Sequence, residues 1–310
     1  MGSESTAVEP AHKGILRDDT IVLRWILGYC GEAQLSNASL PKAPSAWPCV
    51  PLTSSPSGSN SQIKRLRFVS IDIDKLEEKD GIIQRFHMGL SFLDAQCLQN
   101  LLFETRLPAP DTNLASHVIR SHHWAVGSYK HFTANDIKFL FGKAQAISLS
   151  DLEARLRGFV QQAFVLVFHG GKQELSVLQK LNINLGSTFT IDTVKAAQHP
   201  LQLSYRYSLQ LLLDEFKIPH RQLHTAGNDA HFALRALLMI AVRDAESQLA
   251  GKHLPDWVSI LKAVAQAPLP PVTLTKREKA AKAKKERQQR LEEQMMEEYK
   301  KKKESGHSNQ

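Results

Sequence analysis

Apolar and polar positions alternate along this chain with two different periods. Ala163-Phe164-Val165-Leu166-Val167-Phe168 is an unbroken apolar run, the pattern of a strand covered on both faces. Phe68, Val69, Ile71 and Ile73 predict a strand over Arg67–Asp74, and Phe86–Asp94 predicts an antiparallel partner across the polar turn 76–82. Thr188–Thr193 predicts another strand. Helical spacing predicts helices from Ser150, over Lys172–Leu181 with Leu175, Leu178 and Leu181 on one face, and over Ser208–Phe216. Ser150 stands three residues before Glu153, a capping signal for the first of these. A last helix opens at Asp229 and carries Ala230, Phe232, Ala233, Leu234, Ala236, Leu237 and Leu238. Strands alternating with helices make this an α/β chain.

The flanks read differently. Residues 1–17 are polar and predict disorder. Asp18-Asp19 then precede an apolar stretch to Tyr29, which predicts a short helix over 19–29 that needs a surface to dock on. Residues 36–62 are rich in Ser, Pro, Ala and Asn and read as a linker. Residues 96–135 read as an irregular surface segment; their histidines (His117, His122, His123, His131) match no zinc spacing. Phe139-Leu140-Phe141-Gly142 reads as an apolar anchor. Pro268 to Pro271 close the domain. The expected organisation is a flexible N-terminal segment over 1–62, a folded domain over 63–268, and a charged helix or arm over 269–310.

Charge sharpens that division. Of the formal +8, residues 276–304 contribute about +5, from twelve Lys and Arg against seven Glu, so the folded part is nearly balanced. Lys276, Arg277, Lys282, Lys284, Lys285 and Arg287 are candidate phosphate contacts; the alternative is a solvated charged helix. Three cysteines without a CxxC pair fit a reducing compartment, hence the cytoplasm or nucleus. Met1–Thr6 fits the N-myristoylation spacing but lacks a second anchor, and no apolar run spans a bilayer, so no membrane partner is expected.

The candidate chemistry is acidic. Asp72 and Asp74 lie two residues apart, on one face of the end of their strand. Two such carboxylates repel unless a cation sits between them; the bland alternative is an acidic turn. Glu174 lies in the first turn of the helix after the central strand, where open sheets place their sites, or where it merely complements the helix dipole. His224-Thr225-Ala226-Gly227-Asn228-Asp229 puts a histidine four intervening residues before an aspartate. That suits a base beside a metal-binding carboxylate, and equally a capping Asp after a surface His.

Taken together, the order of elements and acids over residues 66–245 resembles the ribonuclease H-like DEDD exonucleases, in the DEDDh subclass with a His-x4-Asp third motif. Phe68–Asp74 resembles its first motif, Val167-Phe168-His169-Gly170 through Glu174-Leu175 its second, and His224 with Asp229 its third. Finer likeness, in Phe141-Gly142, Val167–Gly170, Ile191-Asp192-Thr193 and Leu223–Ala230, points to the fungal Gfd-type branch linked to mRNA export. The resemblance implies a ribonuclease H-like mixed sheet flanked by helices. It implies two divalent metal ions (Mg or Mn) held by Asp72, Asp74, Glu174 and Asp229, with His224 as general base. It also implies 3′–5′ hydrolysis of single-stranded nucleic acid, RNA favoured. The chain departs from the pattern twice: Asp74 stands where the family has Glu, and Glu174 where it has Asp. The alternative is a ribonuclease H-like adaptor that binds RNA or protein in mRNA export or ribonucleoprotein assembly without catalysis.

Overall fold

The structure, a computed structural model, describes residues 13–29, 49–51, 62–103, 112–129, 132–133, 137–160, 163–271, 284 and 287–296. The chain divides into two compact units, Met1–Leu269 and Pro270–Gln310. In the second unit residues 287–296 are helical and exposed.

A short antiparallel pair, β1 (Cys49–Pro51) and β2 (Gln62–Lys64), precedes the main sheet. That sheet contains β3 (Arg67–Lys79), β4 (Ile82–Asp94), β5 (Ile119–Gly127), β6 (Gln145–Ile147), β7 (Phe164–Phe168) and β8 (Phe189–Asp192). Its order is β6-β5-β4-β3-β7-β8. β4 runs antiparallel to both neighbours, while β7 is parallel to β3 and to β8, and β6 is parallel to β5. This is the ribonuclease H-like arrangement, a mixed sheet flanked by helices.

The β3–β4 hairpin is longer than its apolar pattern. It closes at Asp80-Gly81, whose φ angles of 53° and 76° are the left-handed pair of a two-residue hairpin turn. The polar residues read as a turn over 76–82 are mostly strand, because that end of the hairpin leaves the core and shows no alternation.

The helices are α1 (Asp18–Ile26), α2 (Ala95–Phe103), α3 (Ala115–Val118), α4 (Leu149–Phe159), α5 (Lys172–Lys180), α6 (Thr193–Ala196), α7 (Leu209–Glu215), α8 (Ala226–Gln248) and α9 (Trp257–Ala265). The cap of α4 is Ser148, whose hydroxyl accepts from Asp151 N–H, and not Ser150. α5 buries Glu174, Val177 and Leu178 and leaves Leu175 outside, so its inner face lies one position from the expected one.

Apolar residues pack on both faces of the sheet. Leu152, Leu156, Val177 and Leu178 cover one face, over Ile71, Ile73, Phe86, Met88 and Trp124. The other face takes α8, sandwiched between the sheet and α1, α7 and α9, which explains why it is buried on nearly every side. α1 ends at Ile26, because Leu27 and Gly28 (φ 76°) turn the chain away. It docks through polar bonds. Arg24 makes a two-pronged ion pair with the fully buried Asp244 at 2.7 and 2.8 Å, joined by the Tyr29 hydroxyl at 2.9 Å. Thr20 Oγ1 donates to Ala196 O at 3.1 Å, and Asp19 Oδ1 accepts from Asp192 N–H at 2.7 Å. Arg235 joins α8 to the last carbonyl of α9, Ala265 O at 2.6 Å, and to Ala267 O just beyond it.

The segment 96–135 is ordered differently from its reading. Residues 95–103 are helical, and β5 is an interior strand of the sheet. His122 and His123 therefore point to opposite faces. His122 packs against Phe92 and Phe159, while His123 is buried among the candidate site residues. His117 is exposed on α3, and His131 lies outside the described residues.

Candidate active site: an acid cleft on the central strand

The face of β3 toward α8 changes character along its length. Phe68 packs in the core, Ser70 is buried, and Asp72 and Asp74 follow, half-buried. Neighbouring strands change in register with it. Asp72 pairs with Gly89 and Asp74 with His87 on β4; beyond them Gly89 pairs with His123 on β5. Polar residues thus form rows across the sheet beneath the start of α8.

Two glycines let the helix come this close. A side chain at Gly89 would run into the carbonyl oxygen of Ala226, and one at Gly227 would meet His123 and Phe139. The N-terminus of α8 is consequently capped by the sheet. Ala226 N–H donates to Asp74 Oδ2 at 3.1 Å, and Gly227 N–H donates to His123 Nδ1 at 3.1 Å. Asp229 is not the N-cap, which is Thr225, but stands in the first turn. Its Oδ2 accepts from His224 N–H at 3.0 Å, which fixes the preceding loop at a left-handed residue, φ 62°. Asn228, fully buried, accepts from Leu140 N–H at 2.9 Å and donates to Lys138 O and Gln222 O at 2.9 and 2.8 Å. It ties the Phe139–Gly142 anchor to the His224 loop.

Glu174 arrives from the other side. The first turn of α5 grips the peptide between the two strand acids: Ile73 N–H donates to Glu174 Oε1 at 3.3 Å, and Gln173 Nε2 donates to Ile73 O at 3.1 Å.

Asp72 feels the other three acids, and Asp229 feels Asp74. Burial raises the pKa of Asp72 well above the usual carboxylate range, and the charges of Asp229, Glu174 and Asp74 raise it further. Burial pushes Asp74 up to about 6, against the pull of the Ala226 N–H and the Lys75 and His224 charges. Asp229 is also pushed up to about 6 by burial, opposed by the His224 N–H and ring and reinforced by Asp74. Glu174 is raised by burial. His224 itself is exposed, with its charge acting on both Asp74 and Asp229.

Two oxygens in this cleft, Asp74 Oδ1 and Asp229 Oδ1, are buried with no hydrogen-bond partner among the described residues. An unpartnered buried acceptor costs about 1–3 kcal/mol, more for a charged one. Among the described residues no three His, Cys, Asp or Glu side chains form a ready-made metal cage. The donor set nevertheless fits hard divalent cations: carboxylate oxygens only, mutually repelling, two of them with unused lone pairs.

Residues 67–240, more than half of the chain, match the family model described as DNA polymerase III subunit epsilon-like, C-terminal domain, of the DEDDh class. The chain belongs to this DEDDh family. No curated protein matches it. A DEDDh exonuclease-family domain has a nuclease-like function, which implies contact with nucleic acid, and the family generally uses divalent metal ions. The match spans β3 to most of α8, and so covers Asp72, Asp74, Glu174, His224 and Asp229. Among the described residues no helix is long and apolar enough to cross a membrane.

Several residues that shape this DEDDh cleft were not among the predicted site residues. His87 and His123 are buried side by side, with His123 Nε2 at 3.2 Å from His87 Nδ1, and His87 Nδ1 lies 3.7 Å from Asp74 Oδ1. Because Gly227 N–H must donate, His123 Nδ1 is the acceptor, so in its neutral form the proton sits on Nε2 and points at His87. Burial lowers both, His87 to about 4 and His123 to about 3, which keeps them neutral. Gly89 and Asn228 complete the frame. A register drawn from Asp72 and Asp74 onto the next strands would have pointed to His87 and Gly89. Of the tail cations, Lys284 and Arg287 are exposed, and Lys276, Arg277, Lys282 and Lys285 lie outside the described residues.

Proposed function

We propose that the protein is a metal-dependent 3′–5′ exonuclease acting on single-stranded nucleic acid, RNA in preference to DNA. The observation that supports this most is the convergence of four carboxylates from three separate elements. The other three raise the pKa of Asp72, and two of their oxygens have no hydrogen-bond partner among the described residues. Burying carboxylates beside one another costs stability, and a bound cation would offset that cost.

In this reading Asp72, Asp74, Glu174 and Asp229 hold two divalent ions, Mg or Mn. Bound there, the ions supply Lewis-acid stabilisation of the charge that develops on the phosphodiester during in-line displacement. The chain's own residues do the rest. His224, anchored through its backbone to Asp229, accepts a proton from the attacking water at a ring nitrogen. The water oxygen bonds to phosphorus as the bond from phosphorus to the preceding nucleotide's O3′ breaks; the terminal nucleotide leaves as its 5′-monophosphate, and the O3′ of the shortened strand takes up a proton from solvent. Asp74 and His123 hold the first turn of α8 against the sheet, and so keep Asp229 opposite Asp72. The basic tail, Lys276, Arg277, Lys282, Lys284, Lys285 and Arg287, adds sequence-independent phosphate contacts. Within the family we read the chain nearest the Gfd-type branch, with a nuclear or cytoplasmic site of action beside mRNA-export proteins.

One observation favours a second reading. Asp74, Glu174 and Asp229 each spend one oxygen on a backbone N–H, of Ala226, Ile73 and His224 respectively. Those bonds suit acids kept as structural ties in a non-catalytic adaptor that binds RNA or protein. Degradation of 3′-labelled and 5′-labelled single-stranded RNA with Mg²⁺, Mn²⁺ or EDTA, for wild type and Asp229→Ala, separates the two. Stepwise, metal-dependent trimming from the 3′ end that vanishes in the variant is the expected result. RNA retained without cleavage under any metal establishes the adaptor instead.

A further inference from the structure

β3 carries an irregularity next to its second acid. Asp74 pairs with His87 and Glu77 with Arg85, so Lys75 and Leu76 together stand opposite the single residue Phe86. The extra residue is accommodated at Lys75, which takes a left-handed backbone conformation, φ 51°, within a strand. Glycine is the residue that adopts this conformation freely, and a lysine there is strained. A bulge of this kind re-aims a side chain and bends its strand, and such bulges gather beside active sites.

Strict alternation would send Lys75 to the face opposite Asp74. The bulge removes that constraint. The Lys75 charge acts on Asp74, His87 and His123, all three on the face that carries the acids. Lys75 is exposed, and among the described residues it forms neither a hydrogen bond nor an ion pair, although its charge acts on the neighbouring Asp74 carboxylate. Beyond His87 the same rim carries aromatic rings: Tyr129 at 5.8 Å from the His87 ring and Phe132 at 6.2 Å from Tyr129. Both rings are half-buried, and the Arg85 guanidinium lies 5.3 Å from the Tyr129 ring. An exposed cation without an ion pair beside such a rim suits a phosphate of a passing strand better than a compact anion.

We infer that Lys75 is a substrate-binding residue, its ammonium contacting a backbone phosphate of the single strand as that strand passes the acid cleft. The inference rests on the nuclease reading of the cleft. It gives the bulge a purpose, because the ammonium can reach over the carboxylates toward the phosphate without joining them.

The test is steady-state trimming of a single-stranded RNA by the full chain and by Lys75→Gln, Lys75→Arg and Lys75→Gly, over a series of salt concentrations. Lys75→Gln is expected to raise KM about tenfold with kcat within about twofold, and to reduce the salt slope of kcat/KM by about one. Lys75→Arg keeps the charge and recovers most of the KM. Lys75→Gly relaxes the left-handed backbone, so its Tm holds or rises while its KM rises as for Gln. A Gly variant with wild-type KM would show that the bulge matters and the charge does not. Variants that trim like wild type with an unchanged salt slope overturn the Lys75 assignment alone. A wild-type chain that neither binds nor trims the RNA overturns the nuclease reading, and this inference falls with it.

Discussion

The Asp74 carboxylate accepts a hydrogen bond from the backbone N–H of Ala226 at 3.1 Å, across 152 positions of sequence. One oxygen of a strand acid thereby caps the helix that carries Asp229, while its other oxygen stays buried without a partner. Structure and chemistry divide this side chain between them, and the two roles can be separated.

Asp74→Asn keeps an oxygen for the Ala226 N–H and removes the charge. In EDTA near pH 8 it is expected to be more stable than wild type by about 1–2 kcal/mol, since like charges no longer crowd the cleft. Trimming should fall by about 100-fold or more, because one of the carboxylates that would hold the metal ions has lost its charge. Asp74→Ala also loses the cap and should be about 1 kcal/mol less stable than the Asn variant. Urea denaturation of the three proteins orders them; an Asn variant less stable than the Ala variant would contradict the capping role.

The pH dependence follows from the raised carboxylates. Asp74 and Asp229 are each pushed up to about 6 from an ordinary 3.8. A carboxylate with a folded pKa above its unfolded one contributes stability while protonated, and loses it as pH rises through the folded value. His87 and His123, lowered to about 4 and 3, run the other way and lose stability as pH falls below 6.5. The carboxylate part is therefore read as a difference. In EDTA the double variant Asp74→Asn, Asp229→Asn should gain on wild type between pH 4 and 7, by roughly 1–3 kcal/mol per site. Saturating Mg²⁺ should cancel that gain, because it binds only the ionised acids. A difference that stays flat across this range would refute the raised pKa values of the two acids.

Gly89→Ala puts a methyl group where the Ala226 carbonyl oxygen lies. Backbone, not a flexible side chain, has to move, so the start of α8 shifts and carries Asp229 with it. The cost is expected at about 1–3 kcal/mol, a Tm loss of several degrees, with trimming reduced out of proportion to stability. Calorimetry and kinetics on the one variant decide it: normal activity at lowered Tm would mean that the close approach is only packing.

Arg24 and Asp244 fasten α1 to α8 in a fully buried pair. Removing either partner leaves the other uncompensated, at a cost of about 3–5 kcal/mol, whereas replacing both by apolar residues of similar size should recover most of it. Denaturation of Arg24→Met, Asp244→Leu and the double variant measures this directly. Additive losses would argue against a coupled pair.

Much of the fold was legible where burial is one-sided and apolar. The Phe164–Phe168 run and the Phe68–Ile73 alternation state their strands plainly, and the helix after His224 announces its buried length. β5 was misread because its face toward α8 carries the half-buried Ser121 and the buried His123, polar residues beside the site, so its alternation looks like a surface segment. The inner face of α5 was off by one position because its buried set includes a charged residue, Glu174, that apolar counting ignores. In both places the sequence departs from simple patterning where the cleft is built. The acids themselves could be picked out by spacing and family likeness. Their mutual burial, the capping of α8 from the sheet and the His87–His123 pair depend on strand register, which no local pattern encodes.

The central claim, that Asp72, Asp74, Glu174 and Asp229 form one divalent-cation cleft, is tested most directly by titrating the full chain with Mn²⁺ in a calorimeter. The account predicts saturable binding near two ions per chain at pH 7.5, weakening as pH falls through 6, and largely lost in Asp72→Asn and Asp229→Asn proteins that remain folded. Absence of saturable binding by wild type, or binding that both variants retain unchanged, would contradict it.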